Sequence, residues 1–185
     1  PAISAALELH RRLGARAAET QEVRLAIGPQ AHDVVGRDEP ARLRPQQQVA
    51  AQFSVYWCVA NVLVHGELTP RQLLEEIPPS PRVAAMIDRI RCISDGAAAT
   101  RDVGSCTLGV TGPYGTEEAV VTSARGHPDN PLTEEEVVTK FLGNVRLAGI
   151  DERAGRELAR DILAIDNLPD VSVLAARLGA IKTTK

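Results

Sequence analysis

The chain has 185 residues, of which 44% are hydrophobic and 24% charged. It therefore has enough apolar material for a sizeable core, and its charged fraction argues against wholesale disorder. Its 21 Lys and Arg against 24 Asp and Glu leave a net charge of −3, which argues against a nucleic-acid binder or a polybasic membrane anchor. The longest near-apolar run, residues 49–64, is too short to span a membrane. We expect a cytoplasmic globular protein, and its start at Pro1 leaves open that it is a fragment of a longer chain.

Five elements are predicted in the first third of the chain, in this order. Apolar spacing predicts a helix over residues 2–14, and alternation predicts a strand over residues 22–27. A second short strand is predicted over residues 31–35 and a charged loop over residues 36–45. Residues 46–64 are apolar nearly all round from Val49 onwards, which predicts one buried central helix.

In the rest of the chain, helices are predicted from capping residues, and strands are predicted where the hydrophobic periodicity changes to two. Two short helices are predicted to begin at Thr69-Pro70 and Ser80-Pro81, where a hydroxyl N-cap precedes proline, and to end at about Pro78 and Ile90. Thr133 and Glu136 have the spacing of a capping box, which predicts a helix through Leu147. The remaining predicted elements are strands over residues 91–94, 105–110 and 118–123, a turn at 112–115, a proline-rich loop over 126–131, and helices over 152–165 and 171–178.

Helices and strands are segregated along the sequence rather than alternating. This order predicts a single α+β domain over residues 1–185, with an antiparallel sheet of about four strands packed against helices.

Few residues point to chemistry. The four histidines are scattered and the three cysteines have no metal-ligand spacing, so we expect no metal site and no disulfide framework. Tyr56 and Trp57 lie close to Phe53, and each either anchors the core or directs its O–H or N–H into a cleft. His127 lies in the proline-rich loop, where a side chain is easily held toward a partner.

Three segments resemble the MmgE/PrpD family. Ala51-Gln-Phe-Ser-Val-Tyr-Trp-Cys-Val-Ala60 is similar to its "AxFSxxYxxA" segment, and Arg125-Gly-His-Pro-Asp-Asn-Pro-Leu-Thr-Glu-Glu-Glu136 to its "KGxPxNPxxxEE" signature. Asp170-Val171 and Leu174 match its closing "DVxxL", and Pro1 to Ala5 resemble the end of its "HPxIDA" stretch. The resemblance covers nearly the whole chain in the right order.

This resemblance implies an enzyme's lid domain. The family contains 2-methylcitrate dehydratase, cis-aconitate decarboxylase and iminodisuccinate epimerase, which act on small polycarboxylates without metal or organic cofactor. They combine a large helical domain with a smaller α+β lid, place the site between the two, and usually form homodimers. The resemblance thus implies a dehydratase-like lyase whose acid–base groups come from an N-terminal helical domain, in the same or a separate chain, that this sequence lacks.

The resemblance also implies the site residues. Trp57 and Tyr56 are the candidate catalytic residues. Trp57 stands where the family has its substrate-facing tyrosine, which favours Trp57 for the cleft and Tyr56 for packing, although Tyr56 is the better proton donor. We expect Ser4, Ser54, Arg125 and His127 to bind substrate, with Arg125 available to an acidic partner. Three alternatives stay open: a non-catalytic docking or assembly module, a subunit of a split enzyme, and a family member with decarboxylase or epimerase activity.

Overall fold

The computed structural model describes residues 1–97 and 105–180, and the chain divides into two compact units. The first unit runs from Pro1 to Pro131 and the second from Leu132 onwards. Each unit is described by itself below.

The first unit contains a four-stranded mixed sheet. Its strands are β1 (Glu22–Ile27), β2 (Ile90–Ser94), β3 (Cys106–Gly112) and β4 (Gly115–Val121), in the order β2-β1-β3-β4. The β1–β3 and β3–β4 pairs are antiparallel, whereas β1 and β2 are parallel. The α+β class and the four strands are confirmed, and the parallel pair modifies the expected pattern. It forms because a long helical crossover connects β1 to β2 and brings the chain back to the same end of the sheet.

Helices of the first unit cover one face of this sheet. Helix α1 (Ala2–Leu13) contacts β3 and β4, while α5 (Val55–His65) contacts α1 and α7 (Pro81–Ile87). Between these layers lies one apolar core, whose largest fully buried members include Leu9, Leu25, Trp57, Leu63, Ile87 and Leu108.

The predicted central helix is two helices. Helix α4 (Gln48–Gln52) ends before Phe53, and α5 begins at Val55 because the buried Ser54 caps it, with Oγ accepting from the N–H of Trp57 at 3.0 Å. Val49 is 65% exposed and Phe53 52% exposed, so the prediction of one buried helix over the whole segment is wrong. The part that is buried runs from Val55 to Leu63.

Two predictions for the segment before α4 are also wrong. Residues 31–35 are helical rather than a strand, since α2 (Pro29–Ala31) continues into a π-helical turn (His32–Gly36). Pro29 stands at the first helical position, where its fixed φ favours helix. The predicted loop over residues 36–45 contains α3 (Pro40–Leu43), which also begins with proline.

The predicted caps and turn of the first unit are confirmed. Thr69 caps α6 (Pro70–Glu75) and Ser80 caps α7, although both helices end earlier than predicted. Gly112 pairs with Gly115 across β3 and β4, so the predicted two-residue turn forms.

The second unit is helical. It contains α8 (Glu134–Leu147), α9 (Glu152–Leu163), a 3₁₀ turn (Ile165–Asn167) and α10 (Ser172–Ala180). The predicted capping box of Thr133 and Glu136 forms at the start of α8. Within the described ranges, no helix is both long and apolar enough to cross a membrane.

Candidate functional site

The start of α5 carries three of the predicted site residues, and the first of them is Ser54. This side chain is fully buried. Besides capping α5, its hydroxyl donates to the carbonyl of Arg42 at 2.5 Å, which ties α5 to the end of α3. Both hydrogen-bonding functions of the Ser54 hydroxyl are therefore used within the first unit.

Tyr56 is buried and points away from solvent. It is 3% exposed, and its hydroxyl donates to the carbonyl of Gly36 at 2.7 Å. Burial, more than any neighbouring charge, raises the pKa of Tyr56 to about 12. The phenol is consequently neutral at physiological pH and holds the π-helical turn against α5.

Trp57 is also a core residue in this structure. It is 1% exposed, and its Nε1–H donates to the carbonyl of Glu76 at 3.0 Å. Successive helix positions point about 100° apart, which is why Tyr56 and Trp57 bind different segments. These contacts favour the core-anchor alternative that the sequence left open, because each polar tip has a backbone partner.

Glu76 joins several of these elements, and sequence reasoning missed it. Its side chain is nearly buried, with Oε1 3.0 Å from Nε2 of His65 and Oε2 accepting from the N–H of Ser80 at 2.9 Å. Together with the Trp57 bond to its carbonyl, this residue links α5, α6 and α7. No spacing in the sequence reveals the pair, since His65 and Glu76 lie on different helices.

Ser4 lies on α1, which packs against α5. The two helices are also linked where Nδ1 of His10 lies 3.2 Å from the carbonyl of Leu63. The Ser4 side chain is half-buried. Its helix neighbours Ile3 and Leu7 are 38% and 39% exposed, so this side of α1 presents apolar surface.

The proline-rich loop is closed by its own hydrogen bonds. Arg125 donates to Oδ1 of Asn130 at 2.8 Å and to the carbonyl of Pro131, while the N–H of Gly126 donates to the carbonyl of Asn130 at 2.8 Å. His127 is exposed at the tip, with Nδ1 3.5 Å from the carboxylate of Asp129. The loop is thus pre-organised, and Arg125 helps to close it.

The structure separates the six predicted site residues into two sets. Ser54, Tyr56 and Trp57 are buried, whereas Ser4 is half-buried and Arg125 and His127 are exposed. In the described part of the chain, no group of three or more His, Cys, Asp or Glu residues is arranged to hold a metal ion. Cys58 and Cys92 are free, and burial raises the pKa of each thiol to about 12, which makes a thiolate nucleophile unfavourable.

These features define the class of the protein as an α+β domain followed by a helical extension. The family model for the MmgE/PrpD C-terminal domain matches residues 1–163. The chain therefore belongs to the MmgE/PrpD family and contains its C-terminal domain. The match includes the whole first unit and continues to the end of α9. A search of curated proteins found no match.

Proposed function

We propose that this chain is the lid part of an MmgE/PrpD-like lyase, which removes water from a small polycarboxylate as 2-methylcitrate dehydratase does. The observation that carries the proposal is the family match over residues 1–163. A C-terminal domain implies an N-terminal partner domain, and in this proposal that partner is helical and supplies the acid–base groups. The full enzyme is a cytoplasmic homodimer that needs no cofactor.

Exposed apolar side chains support the presence of a partner domain. Large apolar groups that remain in water are typical of interaction surfaces when they cluster. On the first unit, Ile3 and Leu7 lie one turn apart on α1. Val49 lies in α4, and Phe53 follows this helix four residues later. We propose that the helical domain covers these pairs.

The buried residues of the candidate site act by positioning. Tyr56 and Trp57 hold the start of α5 through bonds to Gly36 and Glu76, and Ser54 caps the same turn. A rigid lid keeps the substrate oriented and excludes water, and this effect is large when reacting groups are held in a near-attack geometry. In this proposal these three residues shape the lid surface, and the base on the partner domain removes the proton alpha to a carboxylate.

The accessible residues are the proposed contacts to substrate. Ser4 supplies a hydroxyl, and Arg125 and His127 supply a cationic guanidinium and an imidazole on a pre-organised loop. Arginine is well suited to carboxylates because its planar fork donates two parallel hydrogen bonds. The loop's internal bonds reduce the entropy that is lost when it closes on a ligand.

The decisive experiment uses the full-length protein with its helical domain. We expect Arg125→Ala to raise KM for the polycarboxylate about tenfold or more, because one charge-assisted hydrogen bond is lost. Arg125→Lys, which keeps the charge, is expected to recover part of the loss. The measurement is hydration–dehydration of tricarboxylates, followed by the ultraviolet absorbance of the unsaturated acid. Unchanged KM and kcat in Arg125→Ala would leave the loop as a structural connector only.

One observation favours a second candidate, a non-catalytic docking or assembly module. The resemblance implies that Trp57 stands where the family has its tyrosine, and the indole N–H of Trp57 is bonded inside the core, so this side chain has no proton to offer a substrate. A module of this kind binds its helical partner without turnover. Full-length protein that binds a polycarboxylate, or its partner domain, but shows no lyase, decarboxylase or epimerase activity would favour this candidate.

A further inference from the structure

One face of the sheet in the first unit is open. The buried side chains of β1, β3 and β4, such as Leu25, Leu108 and Ala119, face the helices. Because side chains alternate along a strand, the residues between them face the opposite way. On that opposite face Ile93 and Val120 are 57% and 51% exposed, so two large apolar groups lie in water.

A charged row crosses the middle of this open face. The strand register places Arg91, Arg24, Gly109 and Glu118 side by side, from β2 at one edge to β4 at the other. The row therefore carries two arginines on one side and a glutamate on the other. The Arg91 guanidinium donates to the carbonyls of Asp88 at 3.1 Å and Ile90 at 3.2 Å, so it lies at the start of β2 and has donors left for a further acceptor. The Arg24 guanidinium also lies 3.0 Å from the carboxylate of Glu22, and both side chains remain more than half exposed.

Next to the charged row lies a mostly apolar row. The same register places Ile93, Ala26, Thr107 and Val120 side by side, with the two large residues at the edges and the two small ones in the centre. In the charged row, Gly109 leaves a hollow, since a Cβ built on it meets no other atom within 4 Å.

We propose that a second copy of this chain stacks on the open face about a twofold axis parallel to the strands. This rotation exchanges the two edge strands and the two central strands, and it keeps each row opposite the same row of the other copy. Glu118 then faces the partner's Arg91, and Val120 faces the partner's Ile93. Arg24 enters the hollow at the partner's Gly109. The face is thus complementary to itself in charge, hydrophobicity and shape.

The size of the face sets the strength of this contact. Four strands at about 4.8 Å spacing and six residues at about 3.3 Å rise give roughly 400 Å² per copy. A standard stable interface has about 800 Å² per partner, so the stacked sheets form a weak dimer on their own. The contact does not depend on the proposed activity, because no site residue contributes to it.

The test measures self-association of the chain by sedimentation equilibrium over a wide concentration range. Glu118→Arg places like charges against the partner's Arg91 and is expected to raise the dimer dissociation constant about tenfold or more. The double variant Glu118→Arg/Arg91→Glu restores the opposite charges and should return to near the original value. Gly109→Arg places a long side chain in the hollow, where its Cβ meets no other atom within 4 Å, and should also weaken the dimer.

The control is Glu135→Arg, which makes the same charge change in the first turn of α8 and should leave the dimer unchanged. Circular dichroism checks that each variant is folded. If Glu118→Arg does not fold, the result for Gly109→Arg tests the proposal. A chain that is monomeric at all concentrations overturns the proposal. So does a dimer that tolerates Gly109→Arg, or one that Glu118→Arg/Arg91→Glu does not restore.

Discussion

At the scale of single residues, hydrogen bonding explains the two aromatic side chains of α5. A buried hydroxyl or indole N–H without a partner is costly, and both groups find backbone carbonyls on segments far away in sequence. Tyr56 bonds Gly36 and Trp57 bonds Glu76, so each ring contributes packing and also fixes a loop. The Phe53 side chain, which has no polar group, is about half exposed and immediately precedes the capping residue Ser54.

The first prediction compares two aromatic residues three positions apart. Tyr56→Phe removes the bond to Gly36 and leaves a carbonyl unsatisfied in the core, which should lower the free energy of unfolding by about 1–3 kcal/mol. Phe53→Ala serves as the contrast, with an expected loss below about 1 kcal/mol because the ring is 52% exposed. Urea unfolding followed by circular dichroism measures both. A larger loss for Phe53→Ala than for Tyr56→Phe would contradict the observed burial.

At the scale of elements, helix ends decide how the first unit is arranged. Ser54 begins α5 in the middle of an apolar run, and Gly66 ends the same helix with φ of 76°. A left-handed residue at this place is usually glycine because it lacks a Cβ. Here the space is also filled, since a Cβ on Gly66 would lie 2.6 Å from Nε2 of His10.

The second prediction is a pair of glycine substitutions with opposite signs. Gly66→Ala combines backbone strain with a clash against the His10 ring, which is itself bonded to Leu63, and should cost about 1–3 kcal/mol. Gly143→Ala lies inside α8 where a Cβ meets nothing within 4 Å, and should stabilise its helix by up to about 1 kcal/mol. Thermal unfolding of the two variants beside the parent chain gives the signs. Equal effects would show that neither conformation nor space at Gly66 matters.

At the scale of the whole molecule, the two units bury apolar surface to different degrees. The first unit has a continuous core between the sheet and its helices. The second unit buries only a few side chains, among them Leu142, Val145 and Leu158, and leaves many large apolar residues exposed. Exposed positions of this kind on the second unit are Val137, Leu147, Ile162, Leu163, Ile165 and Leu178. Such a surface is suited to contact with further protein.

The third prediction concerns this chain by itself. Because the proposed base lies on the partner domain, we expect no turnover of 2-methylcitrate, citrate or cis-aconitate by the 185-residue chain. The full-length protein, assayed at the same molar concentration, is the positive control. Turnover by the isolated chain at a comparable rate would show that the catalytic groups lie within it, and would direct attention to the exposed His127.

Local signals in the sequence determined much of the fold. Strand β1 and the capped helices α6, α7 and α8 lie where alternation and Ser or Thr caps predict them, because these signals depend on contacts within a few residues. The family resemblance is likewise confirmed by the match over residues 1–163. The roles of the six candidate site residues remain predictions.

Tertiary structure alone decided the rest. An apolar run predicts burial but not where a helix breaks, so the cap at Ser54 and the exposure of Val49 and Phe53 appeared only in the folded chain. The parallel pairing of β1 with β2 depends on how a long helical crossover packs. The contact of His65 with Glu76 joins residues on two helices. Each of these features depends on groups distant in sequence meeting in space, and hydrophobic periodicity and propensity carry no information about such encounters.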